Sequence, residues 1–180
     1  MTPLPDIAAL RRHLAAGGVV AYPTESCYGL GCDPLNARAV AAILRLKGRP
    51  QSKGLILIGS APEQFAPYLA EPPATWPQYW PGPYTLLLPA GRRCPHWLRG
   101  RHAKLAVRVT AHAEAARLCH ALGMALVSTS ANRSGQRMLR SAAECRKEFG
   151  DRVLVLDGRI GRRRRPSTII DPSAGRTLRR

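Results

Sequence analysis

A single-domain α/β fold, an open twisted sheet with helices on its flanks, is predicted by three features of this sequence. Short apolar runs suited to buried strands alternate with amphipathic runs of helical period. Helix-bounding residues stand where the period changes. The 180 residues, 45% of them hydrophobic, suffice for one sizeable core and place the chain among globular proteins.

Taken in order, Ile7, Leu10 and Leu14 recur at helical spacing, and Gly17-Gly18 stops that helix before the strand Val19-Val20-Ala21-Tyr22, which Pro23 ends. Asn36 is placed to cap a second helix running through Lys47, with Val40, Ile43 and Leu44 on one face. Leu55 to Ile58 is too short for a helix and reads as a buried strand. Ser60-Ala61-Pro62-Glu63 has the form of a capping box, which predicts a short helix carrying Phe65 and Leu69. Pro72 to Pro83, dense in proline and aromatic residues, reads as a packed loop. Tyr84 to Leu88 and Lys104 to Val109 are predicted strands. Ala113 to Leu122 is a helix closed by Gly123, leading into the strand Ala125 to Ser128. A second capping box at Ser141 and Glu144 opens a helix that stops at Gly150, and Val153 to Leu156 and Thr168 to Ile170 supply two further strands. No repeat or linker divides the chain, so residues 1–180 are expected to form one domain.

Lys and Arg outnumber Asp and Glu by 28 to 11, a formal net charge of +17 that favours nucleic acid, nucleotides or other polyanions as partners. The five cysteines contain no CxxC pair and the histidines no zinc spacing, which predicts reduced thiols, no protein-held metal and a cytoplasmic location. No apolar run reaches the roughly 18 to 20 residues of a membrane span.

Four segments carry candidate chemistry. Lys47-Gly48-Arg49-Pro50-Gln51-Ser52-Lys53 sets three cations between a predicted helix and a predicted strand, a place suited to phosphates; a solvated basic loop is the other reading. Tyr22-Pro23-Thr24-Glu25 follows a strand end, where α/β sheets collect binding groups: Thr24 offers a hydroxyl to a small polar ligand, and Glu25 either accepts a proton or serves as a capping or salt-bridge residue. Arg108 sits within the apolar strand Leu105-Ala106-Val107-Arg108-Val109, where an unpaired guanidinium is costly, so it needs an anion, either a substrate carboxylate or an internal Asp or Glu. Ser128-Thr129-Ser130-Ala131-Asn132-Arg133-Ser134-Gly135 gathers hydroxyls and a carboxamide able to surround phosphate or ribose. Walker and GxGxxG patterns are absent, and no serine or cysteine stands in a nucleophile motif.

These blocks, in this order and together with Trp80-Pro81-Gly82-Pro83-x-Thr85, resemble the YrdC/Sua5 family, and in particular its short, single-domain bacterial members, over about Ile7 to Arg179. The resemblance implies a YrdC-like sheet around a basic cavity and an enzyme joining L-threonine, bicarbonate and ATP into threonylcarbamoyl-AMP, with release of pyrophosphate. Mg2+ would accompany the ATP, held by no recognisable protein motif. The product would pass to a threonylcarbamoyl-transferase complex that modifies adenosine 37 of tRNA. By the same resemblance, Lys47, Arg49 and Lys53 carry the catalysis and face the ATP phosphates, and Ser130, Asn132 and Arg179 contact the nucleotide. Thr24, Arg108, Ser128 and Ser167 hold threonine. Ser26-Cys27 departs from the family's small or apolar pair, Arg179 stands near a chain end open to fraying, and the run Arg162 to Arg165 is an RNA-binding stripe, a cover over the nucleotide or a solvated face. The competing function is a noncatalytic RNA-binding protein of the same fold, for which the charge speaks but no RNA-binding motif does.

Overall fold

Nine strands form one mixed sheet in the computed structural model of this chain, which describes residues 6–71 and 78–179. In chain order the elements are α1 (Ile7–Ala15), β1 (Val20–Pro23), β2 (Tyr28–Gly31), α2 (Ala37–Lys47), β3 (Ile56–Gly59), β4 (Tyr84–Pro89), α3 (His96–Arg99), β5 (Lys104–Val109), α4 (Ala113–Leu122), β6 (Leu126–Ser130), α5 (Ala142–Phe149), β7 (Leu154–Val155), β8 (Thr168–Asp171) and β9 (Arg176–Arg179). The strands lie in the order β7-β1-β2-β6-β3-β5-β4-β8-β9. Parallel pairs (β1 with β7, β3 with β5, β4 with β8) are interleaved with antiparallel ones.

Strand residues alternate between faces, so the two sides of the sheet can be read from parity. Ala21, Leu30, Leu57, Val107 and Val127 point into the larger core, with Val40 and Ile43 of α2 and Cys145 and Phe149 of α5. Val20, Tyr22, Ile58 and Leu126 point the other way, into a smaller core closed by Leu10 and Leu14 of α1 and by Leu118 and Leu122 of α4. Burial on both faces is why these strands read as apolar runs rather than as alternating ones.

The helix boundaries follow the expected signals. Asn36 caps α2 by accepting from Ala39 N at 3.1 Å, and Gly48 ends it in the left-handed region. Ser141 and Glu144 form the reciprocal capping box of α5. Ser60 and Glu63 do not: Gln64 Oε1 accepts from both the amide and the hydroxyl of Ser60, and Pro62–Tyr68 winds as a 3-10 segment interrupted by Pro67. The predicted loop at Pro72 to Pro83 lies partly outside the described residues. β2, α3 and β9 were not expected: β2 is four residues with two glycines, α3 a single turn, and β9 an exposed edge strand, none with a usable period.

The cationic loop is held by backbone. After α2, Gln51–Lys53 makes one 3-10 turn, Leu55 N donates to Leu98 O at 2.8 Å, and Arg101 N donates to Ser52 O at 3.2 Å. This clasp requires Gly100, whose φ is +62° and whose Cβ would stand 2.4 Å from Ser52 O. We expect Gly100→Ala to cost about 1–3 kcal/mol through backbone strain and to lower the melting temperature by several degrees, read by thermal denaturation. An unchanged melting temperature would show that the clasp is dispensable.

Candidate active site

The smaller core covers only part of its face of the sheet. Continuing in steps of two beyond Tyr22, Leu126 and Ile58 leads to Thr24, Ser128, Ser130 and Ile56, and the β3–β5 pairing sets Arg108 opposite Ile58. Polar side chains thus occupy the positions that α1 and α4 leave open, and they line a cavity of about 160 Å3 together with Arg49, Cys27, Gly29, Ser167 and Arg179. A Cβ at Gly29 would stand 3.3 Å from Thr24 Cγ2 and 3.5 Å from Ser128 Oγ, so the missing side chain keeps these two hydroxyl residues around open space. Arg49, Leu55, Ile56 and Arg179 also border a wider chamber of about 610 Å3, rimmed by Lys53, Arg99, Arg101, Lys104 and Arg176.

Arg108 is 8% exposed, and its partner is internal: Nη1 lies 3.0 Å from Glu25 Oε2. Thr110 Oγ1 donates to the other carboxylate oxygen of Glu25 at 2.6 Å. The ion pair is a charge contact without hydrogen-bond geometry, since Glu25 Oε2 and Arg108 Nε are both buried with no hydrogen-bond partner. Arg108 thus lines the cavity with its charge offset by Glu25 but its hydrogen-bonding capacity unspent, while its Nε is shut away from solvent.

Arg49 donates from Nε and Nη2 to Gly54 O at 3.2 and 2.9 Å, closing the cationic loop on itself. Arg179 is tied rather than frayed: Nε and Nη2 donate to Ser167 O at 3.1 and 2.8 Å, and Ser167 Oγ shares a 2.8 Å hydrogen bond with Thr85 Oγ1. Burial lowers the Arg179 pKa from its ordinary value, and Arg108 and Arg49 lower it further. Three guanidiniums therefore share one field around the cavity, which stabilises an arriving anion.

Lys47 is placed differently from its expected position against phosphates. It is 3% exposed and is not among the residues lining either chamber. Its Nζ donates to Ser130 O, to Asn132 O at 2.9 Å and to Asn132 Oδ1 at 3.3 Å, which commits all three donors to the Ser/Asn loop. Asn132 likewise lies behind the wall, accepting from Ser130 Oγ at 2.6 Å and donating to Arg133 O and Gln136 O. Lys53 is exposed and borders the wider chamber alone. Thr24, Arg49, Arg108, Ser128, Ser130, Ser167 and Arg179 meet at the smaller one.

Sequence reasoning missed Gly29, Met138 and Pro166 on the cavity wall, whose residue types carry no signal of a site, and Arg99, Arg101 and Arg176 on the rim, for which overall charge was the one signal. The run Arg162 to Arg165 belongs to a strap along the Thr24–Glu25 turn. Gly161 N donates to Thr24 O at 2.9 Å and Arg163 N to Glu25 O at 3.1 Å, and the strap delivers Pro166 and Ser167 to the cavity. All five cysteines are buried and free, and burial raises the Cys27 thiol above its ordinary pKa, which keeps it a poor nucleophile. Among the described residues no group of His, Cys, Asp and Glu could hold a metal ion, and no helix is long and apolar enough to cross a membrane.

The family model Sua5/YciO/YrdC, described as telomere recombination, matches residues 12–180. A threonylcarbamoyl-AMP synthase of Chromobacterium violaceum is 61% identical over 173 residues, 94% of this chain and 90% of that protein. Among solved structures, P. abyssi Sua5 complexed with L-threonine is 32% identical, with a TM-score of 0.79 over 92% of this chain. This chain spans about half of that longer protein, 50%. E. coli YciO, 22% identical, shares the fold with a TM-score of 0.79 over 96% of this chain and 87% of its own.

Burial, and next the nearby Arg49, lower the pKa of Lys47 to about 8. Below that pH the ammonium adds to the field behind the cavity; above it the charge and one of the three donors are lost. Pyrophosphate affinity, followed by calorimetry, is therefore expected to weaken as pH rises through about 8, and to lose this step in Lys47→Met. A wild-type affinity flat from pH 7 to pH 9 would contradict it.

Proposed function

Because the chain belongs to the Sua5/YciO/YrdC family, we propose that it is a threonylcarbamoyl-AMP synthase, taking L-threonine, bicarbonate and ATP to threonylcarbamoyl-adenylate and pyrophosphate. One observation carries the assignment of the site. Arg49, Arg108 and Arg179 converge on a hydroxyl-lined cavity beside a single paired carboxylate, which suits two anionic substrates brought together. The chamber sizes support a division of labour. The smaller, with Thr24, Ser128 and Arg108, suits an amino acid, whereas the wider, basic one suits a nucleoside triphosphate.

In this reading Arg108 takes the threonine carboxylate through the edge that Glu25 leaves free, and Thr24 and Ser128 offer hydroxyls to the rest of the amino acid. The threonine amine captures carbon dioxide derived from bicarbonate, losing a proton and forming a carbamate. A carbamate oxygen attacks the α-phosphorus of ATP, the bond to the β-phosphate bridging oxygen breaks, and pyrophosphate leaves. Arg49 and Arg179, on the border of both chambers, offset the repulsion between carbamate and triphosphate and the charge that builds on the leaving group. Lys53 and the rim arginines hold the outer phosphates; Mg2+ accompanying the ATP would supply further charge neutralisation there. Lys47 acts one step back, fixing the loop that presents Ser130. The catalysis is positioning and electrostatics, with no covalent enzyme intermediate.

A transferase acting on tRNA would consume the product. RNA binding by the basic surface is subordinate here: the guanidiniums that distinguish the site are turned into a cavity of about 160 Å3, too narrow for a duplex.

Pyrophosphate release that requires both threonine and bicarbonate tests the reaction; RNA binding without that turnover would refute it. Within the site, Arg108→Ala is expected to raise the KM for threonine by about 100-fold, the scale of a lost charge-assisted pair, while leaving the KM for ATP within about threefold. Arg49→Ala should do the reverse. Equal effects of both variants on both substrates would overturn the division into two chambers.

A further inference from the structure

The Glu25 carboxylate belongs to none of the substrate contacts proposed above. Glu25 lines a separate cleft with His112, Glu114, Arg159 and Arg163, while Arg108, its ion-pair partner, lines the substrate cavity. The two side chains stand between these spaces, and both are nearly buried, with side-chain exposures of 9% for Arg108 and 12% for Glu25.

Glu25 is held in place independently of Arg108. One carboxylate oxygen accepts from Thr110 Oγ1, which itself accepts from His112 N at 3.1 Å. The backbone carbonyl of Glu25 accepts from Arg163 N of the strap. Gly161 makes this approach possible, since a Cβ there would stand 2.6 Å from Glu25 O. The anion is thus fixed by three elements before any ligand arrives, and it occupies one side of the guanidinium, leaving Nε without a partner.

We infer that Glu25 is a built-in counter-ion that sets threonine affinity: it stands in for the substrate carboxylate in the empty site and weakens the hold of Arg108 on that carboxylate when threonine is bound. This rests on the reading that Arg108 takes the threonine carboxylate. The physical basis is that Arg108 shares its field with Arg49 and Arg179. Without an internal anion the empty site would bury an uncompensated cation, a state that is strongly destabilised and that a bound carboxylate would relieve. With the internal anion present, a substrate carboxylate on the opposite edge of the same guanidinium feels its repulsion across roughly the width of that group. Glu25 therefore stabilises the empty enzyme at the expense of the complex, and it eases departure of a product that carries the same carboxylate.

The direction of the expected effect separates this role from damage to the site, because a disrupted pocket binds more weakly whereas removal of a competing anion binds more tightly. Glu25→Gln keeps a neutral acceptor for the guanidinium and removes the charge. Calorimetry on the purified variant should show L-threonine binding about tenfold tighter, the order expected for two like charges at that separation in a partly buried site. L-threoninamide, which keeps the ammonium but lacks the carboxylate, should bind no tighter than to the unaltered protein. The empty variant should melt at a lower temperature and gain more from saturating threonine than the unaltered protein does. Glu25→Asp retains the charge but withdraws it by one methylene and should tighten threonine about two- to threefold. Threonine binding that is unchanged or weaker in Glu25→Gln, with the fold intact by circular dichroism, overturns the inference. Should Glu25→Gln not fold, the Asp variant decides alone. If Arg108→Ala leaves threonine affinity unaltered, the site reading fails first; if it abolishes affinity and Glu25→Gln does not raise it, only the counter-ion inference fails.

Discussion

Burying like charges on one face of a sheet is the constraint around which this molecule is arranged. Arg108 stands on a central strand, between neighbours that are almost wholly buried, where a guanidinium without an anion would cost several kcal/mol. Glu25 supplies that anion, Thr110 fixes Glu25, and the strap from Gly161 to Ser167 fixes the turn that carries it. Arg49 and Arg179 line the same space, each anchored through backbone carbonyls rather than carboxylates. Carbonyl anchors hold a guanidinium in place without neutralising it. The surplus charge is thereby kept for a ligand.

The arrangement of the sheet explains how so much polarity is tolerated. α1 and α4 cover the apolar end of one face, where Val20, Tyr22, Ile58 and Leu126 need them, and stop where Thr24, Ser128 and Arg108 begin. The larger core lies entirely on the other face and carries the packing that holds the fold. The exposed ion pairs, such as Arg146 with Asp157, contribute little by comparison, being open to solvent and screened. A hydrophobic face thus serves as the platform, and the open part of the opposite face carries the polar cavity.

Much of this was legible in the sequence because the main signals are local. Helical spacing in α1 and α2, the Asn36 cap, the Ser141 and Glu144 box and the apolar runs of β3 and β5 are each set within a few residues. Long-range relations were not. The pairing of β2 with β6, which brings Gly29 beside Ser130, joins segments about a hundred residues apart and has no local mark. The choice between a substrate and an internal anion for Arg108 could be posed from the strand alone, but its resolution required knowing that the Pro-Thr-Glu turn folds over β5. Lys47 shows the same limit: its loop context suggested phosphate, and only the fold reveals that, as the last residue of α2, it is turned inward onto the Ser/Asn loop. Residue type told which groups were chemically able, and topology decided which of them face the ligand.

One face of the sheet is proposed to hold two anions in adjoining chambers, an amino acid at Arg108 and a triphosphate between Arg49 and Arg179. A crystal structure with L-threonine and a non-hydrolysable ATP analogue decides whether it does. The threonine carboxylate is expected on the Arg108 guanidinium, opposite Glu25, with the triphosphate in the wider chamber and its α-phosphorus toward the threonine amine. A triphosphate lying on Arg108, or threonine bound outside the chamber lined by Thr24 and Ser128, would refute the two-chamber arrangement.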